Sequence, residues 1–61
     1  MPATRREVLE ALERLWDKYP DQRLGQLVMN IAIFAGRDPE EVYDLDEDEI
    51  VEAITRHLGP G

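Results

Sequence analysis

Asp44, Asp46 and Asp48 alternate along one stretch of the chain, a spacing that imitates the first three ligands of an EF-hand calcium loop. The template then fails. Its sixth position holds Glu49 where the sharp turn needs glycine, and its twelfth holds Thr55 where a bidentate glutamate belongs. Helix capping and a solvated acidic face account for the same residues, so no metal ion is expected. His57 is the only histidine and there is no cysteine, which leaves zinc without its usual donors. His57 reads as a histidine at the edge of a core. The chain has no serine, and Thr4 and Thr55 have structural places as a cap and on a helix surface. There is no glycine-rich phosphate loop. Carboxylates abound, but general acid–base work needs a cleft that shifts their pKa values, and a domain this small has little room for one. No catalytic residue and no cofactor is expected, and an enzyme acting alone is not.

Recognition is better supplied. Trp16, Tyr19, Asp21 and Arg23 cluster around Pro20, and Trp, Tyr and Arg are the types that dominate interface hot spots. Trp16 and Tyr19 equally fit the inner face of a helix, and Asp21 equally serves as a cap. Arg23, Gln26 and Asn30 form a narrow polar stripe on an otherwise apolar segment. The stripe is either a solvent-facing edge or a polar network, and in both cases it offers fixed donors and acceptors. The candidate partner-binding residues are therefore Trp16, Tyr19, Asp21, Arg23, Gln26 and Asn30.

These side chains have to be held by very little protein. Sixty-one residues make one domain, residues 1–61, that hides only about 60% of the surface its unfolded chain exposes. The charge is −7 overall and uneven. Residues 1–37 carry six basic and five acidic side chains, whereas residues 38–61 carry nine acids against Arg56 alone. That balance opposes nucleic-acid binding, which needs a basic footprint, and docking to an anionic membrane. Met1 to Glu7 is polar, with Arg5 and Arg6, unlike a signal peptide. The longest apolar stretch, Leu27 to Ala35, is interrupted by Asn30 and too short to span a bilayer. A cytoplasmic protein is expected.

The hydrophobic period is helical throughout. Thr4-Arg5-Arg6-Glu7 matches a capping box. Val8, Leu9, Ala11, Leu12, Leu15, Trp16 and Tyr19 then share one arc, with Glu10 and Arg14 placed to pair across a turn on the other. Pro20 stops this helix, predicted at 5–18. Asp21 can cap a second, at 22–35, whose apolar residues occupy most of its circumference. Such a helix is buried, which predicts it as the hub. Gly25 costs this helix about 1 kcal/mol relative to alanine, so it marks either a close helix–helix approach or a frayed first turn. Gly36 fits the position after the helix. Asp38-Pro39-Glu40-Glu41 starts a short turn near 39–43. Asp46 caps a last helix at 47–58, with Glu49 at the capping-box position. Leu58-Gly59-Pro60-Gly61 ends it.

The segment Trp16-Asp17-Lys18-Tyr19-Pro20-Asp21-Gln22-Arg23-Leu24-Gly25-Gln26-Leu27 resembles a motif of small bacterial and phage proteins, W-x-K-x-P-D-x-R-L-G-Q-L. In those proteins an Asp-Pro element and an acidic stretch follow, before a last short helix. The YihD-like proteins of enterobacteria are similar more loosely, in the Trp, the Pro-Asp step, the Gln and the acidic start of the last helix. The resemblance covers roughly residues 9–58. It implies a small helical fold and adds no catalytic residue, since these families have no established activity.

The sequence thus predicts an all-α fold, a small three-helix bundle with an extra short helical turn. Leu12, Leu15, Leu27, Ile31, Phe34 and Ile54 are expected in the core. The expected function is a non-enzymatic protein–protein interaction or regulatory module with an unknown protein partner. The alternative is a small structural homo-oligomer or accessory subunit whose role is assembly. Met29 and Ile33 are the candidate dimer interface, because two neighbours cannot wrap so wide an apolar arc. The competing expectation is that Val42, Tyr43 and Leu45 fold back over that side and leave a monomer.

Overall fold

The computed structural model describes residues 2–59. Pro60 and Gly61, the end of the expected stop signal, lie outside the described residues. Three helices and a short 3-10 turn make up the chain: α1 (Arg5–Lys18), α2 (Leu24–Phe34), η1 (Pro39–Asp44) and α3 (Glu47–Leu58). Among the described residues there is no strand, and no helix is long and apolar enough to cross a membrane.

Each end has a local cause. The Thr4 hydroxyl accepts from the Glu7 amide at 3.1 Å, and the Glu7 carboxylate accepts from the Thr4 amide at 3.0 Å. This is the expected capping box. The second helix begins later than the sequence suggests, and Asp21 does not cap it. Its N-cap is Arg23, which has no acceptor to offer, so Gln26 reaches back to the Arg23 amide at 3.0 Å. At the far end Gly36 takes φ 79°. The Gly36 amide donates to the Ile33 carbonyl and the Arg37 amide to that of Ala32, the paired bonds of a Schellman turn. Asp46 accepts from the Glu49 amide at 2.8 Å to start α3. The Glu49 carboxylate does not return the bond. It takes Arg37 in a bidentate pair at 2.9 and 3.0 Å, the stronger use of a carboxylate. The Glu10–Arg14 pair is not formed; the ion pairs among the described residues are Arg37–Glu49 and Glu52–Arg56.

The core is shared between α2, which meets η1, α3 and, more lightly, α1, and α3, which joins α1 to α2. Ala11, Leu15, Leu27, Ile31, Ala53 and Ile54 form one buried cluster. It is α3 that packs on both other helices, while α1 and α2 touch little. Ala11 and Ala53 are fully buried, so small side chains sit where α1 and α3 contribute to the same core. Leu12 and Phe34 are half-buried at the margin rather than inside. The wide apolar arc of α2 is covered only where another element faces it, at Leu27, Ile31 and Ala32. Met29 and Ile33 remain 49% and 54% exposed. The 36–46 segment does pack against α2, and Leu45 joins the core margin. It stops short of covering those two residues, and Tyr43 stays in solvent. A Cβ built on Gly25 would meet nothing within 4 Å. Gly25 therefore lies in the first turn of α2 with no close approach inside this chain.

Ile54→Ala should cost about 2–5 kcal/mol. A domain of this size holds on the order of 5 kcal/mol, so urea titration should find that variant largely unfolded. Leu9→Ala, at a site 59% exposed, should stay within about 0.5 kcal/mol of the parent. Hydrogen bonds from the Thr4 amide, then from its hydroxyl, hold the Glu7 carboxyl below its ordinary value of 4.5. A depressed carboxyl stabilises the fold above the unfolded pKa and loses that contribution as pH falls through the folded one. Glu7→Gln should therefore flatten the fall in urea midpoint on acidification below about pH 4.5.

Candidate functional site

The end of α1, the turn after it, the middle of α2 and the end of α3 converge on one notch of about 270 Å³. Leu15, Leu27 and Phe34 form its apolar part, and Tyr19, Gln22, Asn30 and His57 its polar part. The chain places them through its breaks. Pro20 ends α1 just after Tyr19, and a turn bond from the Gln22 amide to the Tyr19 carbonyl at 3.1 Å brings Gln22 back over the helix end. Eight residues on, the Asn30 amide group donates to the Gln22 side-chain oxygen at 3.2 Å. That bond uses one donor of Asn30 and one acceptor of Gln22. The Asn30 oxygen and the Gln22 amino group are left for a ligand.

His57 closes the opposite wall. Its ring stacks on Phe34, with centroids 3.8 Å apart and planes 9° from parallel. The Tyr19 hydroxyl lies 2.8 Å from His57 Nε2 and donates when the imidazole proton is on Nδ1. Arg56, next to it, donates to the Phe34 carbonyl at 3.2 Å. The notch is thus walled by groups that hold one another, and the lining includes no carboxylate, serine, threonine or thiol.

The candidate residues separate into three groups. Tyr19 and Asn30 line the notch. Trp16 stands behind it: the indole N–H donates to the Gln22 carbonyl at 2.8 Å, and the residue is 39% exposed. Asp21 and Arg23 are exposed and enter none of the ion pairs among the described residues. Gln26 caps α2. Met29 and Ile33 lie on the outer side of α2, away from the notch lining. Gln22, Phe34 and His57 complete the notch and were not among the expected site residues. The Gln22–Asn30 bond crosses a helix boundary and has no periodic signal. For His57 a signal existed in its position on the apolar edge of α3.

Among the described residues no group of three histidine, aspartate or glutamate side chains could hold a metal. Asp46 is engaged as a cap, and Asp48 accepts from the Ala3 amide. The chain matches no family model, no curated protein and no solved structure.

The Tyr19–His57 bond should couple the two residues by about 0.5–1.5 kcal/mol. A double-mutant cycle of Tyr19→Phe and His57→Phe, which keeps an aromatic ring over Phe34, measures it by urea unfolding. A coupling near zero would mean that stacking alone positions the imidazole.

Proposed function

We propose that this protein is a non-enzymatic protein–protein interaction module of the cytoplasm, and that it reads its partner at the notch. The observation that carries this is the unspent donor and acceptor of the Gln22–Asn30 pair beside an apolar floor. A peptide group offers the complementary acceptor and donor. An apolar side chain next to that group fills the space over Leu15, Leu27 and Phe34. Truncating such an anchor is the kind of change that removes most of an interface's affinity. Trp16 contributes through Gln22, whose backbone it fixes.

Selection from a displayed peptide library tests this reading. Enriched peptides should share one bulky apolar residue, and their binding should move the NMR signals of Tyr19, Asn30 and His57. Asn30→Leu should weaken them about tenfold, the effect of roughly 1.4 kcal/mol. No enrichment, or shifts confined to another face, rejects the notch as the reading surface.

A second reading, assembly as a small homo-oligomer, is favoured by a separate observation, the exposed apolar side of α2.

A further inference from the structure

We propose that a second copy of this chain docks on the outer side of α2 in a two-fold contact centred on Met29. The contact does not depend on the notch. Gly25, Gln26, Met29 and Ile33 fall within about 100° of one another around the helix. All four are exposed.

Charge selects this side. Leu24–Phe34 contains no charged residue, whereas α1 and α3 both carry exposed acids. Two copies of a chain at −7 repel each other. The side of α2 brings no carboxylate of its own to the contact.

Register selects the geometry. Gly25, Met29 and Ile33 are spaced four apart, and rows of that spacing interdigitate in the commonest helix crossing. A two-fold axis at Met29 sets Gly25 of each copy opposite Ile33 of the other. At one end of the row is open space, since a Cβ on Gly25 would meet nothing within 4 Å. At the other end is a branched side chain 54% exposed. The row is self-complementary, as an isologous interface requires. It also accounts for Gly25 itself. Its φ is not positive and no element of its own chain approaches it, so in a monomer its helix-weakening effect has no structural return. The antiparallel arrangement brings Arg23, at the start of one α2, toward the carbonyl end of the other, where a cation is favoured.

Area sets the strength. An 11-residue helix is about 16 Å long. A strip of that length buries less than the roughly 800 Å² per partner of a standard interface. The contact therefore falls at the small, weak end of specific interfaces.

Sedimentation equilibrium between about 5 and 500 µM decides this. The parent mass should rise from near 7.1 kDa toward twice that value. Added salt should strengthen the association by screening repulsion between copies. Gly25→Leu fills the space meant for Ile33 of the second copy and should weaken association at least tenfold. Leucine is a better helix former than glycine, so the dilute melting temperature of that variant should not fall, which separates lost docking from lost folding. Leu9→Glu, on the exposed side of α1, should leave association unchanged. A parent that stays near 7.1 kDa throughout overturns the proposal. So does a Gly25→Leu variant that associates like the parent, a Leu9→Glu variant that dissociates, or an association that salt weakens.

Discussion

Everything in this small fold hangs on the apolar edge of α3. Ala53 and Ile54 are buried while the residues around them are exposed or half-exposed, and α3 is the element on which both α1 and α2 pack. The other two helices barely meet. If α3 were withdrawn, Leu15 of α1 and Leu27 and Ile31 of α2 would lose the core they share. The notch inherits this dependence, because its far wall is His57, near the end of the same helix, stacked on Phe34. On one side the notch is held by the Gln22–Asn30 bond, and on the other by α3 through His57.

The direction of α3 explains the acidic half of the chain. Ala3, before α1, bonds to Asp48 in the first turn of α3, and Tyr19, after α1, meets His57 near the end of α3. The two helices therefore run the same way, with their positive dipole ends side by side. Glu47, Asp48 and Glu49 lie in the first turn of α3 with Asp46 as its cap, and Glu7 lies in the first turn of α1. Carboxylates at such ends are stabilising. Much of the −8 charge of residues 38–61 is thus placed at the end of the bundle where backbone N–H groups collect. Arg37 neutralises one of these acids from the end of α2. Within the acidic run Asp46 is a cap, Asp48 takes the Ala3 amide and Glu49 takes Arg37.

The elements were legible because their signals are local. Thr4 with Glu7, Pro20, Gly36, Asp38 with Pro39, and Asp46 each specify a boundary within four residues, and the helices α1 and α3 fall where those signals set them. What was not legible lies between elements. Which side of α2 stays uncovered could not be read from its arc, since periodicity tells how much apolar surface a helix has and not what will face it. Asp21 lost the cap because the turn after Pro20 runs on to Arg23. Glu49 left its expected capping partner for Arg37, a choice fixed by the Schellman turn that aims Arg37 at α3. Of the candidate site, Tyr19 and Asn30 were found from residue type and position. Gln22 and His57 were missed as partners of these two, because both bonds join different elements.

The same-direction pairing of α1 and α3 also has a consequence for how the chain finds its fold. Side-by-side helices that run the same way cannot be joined by a tight hairpin, so α2 and η1 serve as the crossover between them. The bond from Tyr19 to His57 spans 38 residues of separation, more than half the chain. Closing a loop of that length costs roughly 3 kcal/mol of chain entropy, and it must be closed before the buried cluster is complete. The α2–η1–α3 unit, by contrast, is joined by short connections. The α1–α3 pairing is long-range along its whole length, which gives this all-helical domain a higher contact order than a bundle of hairpin-joined helices and slows its folding accordingly.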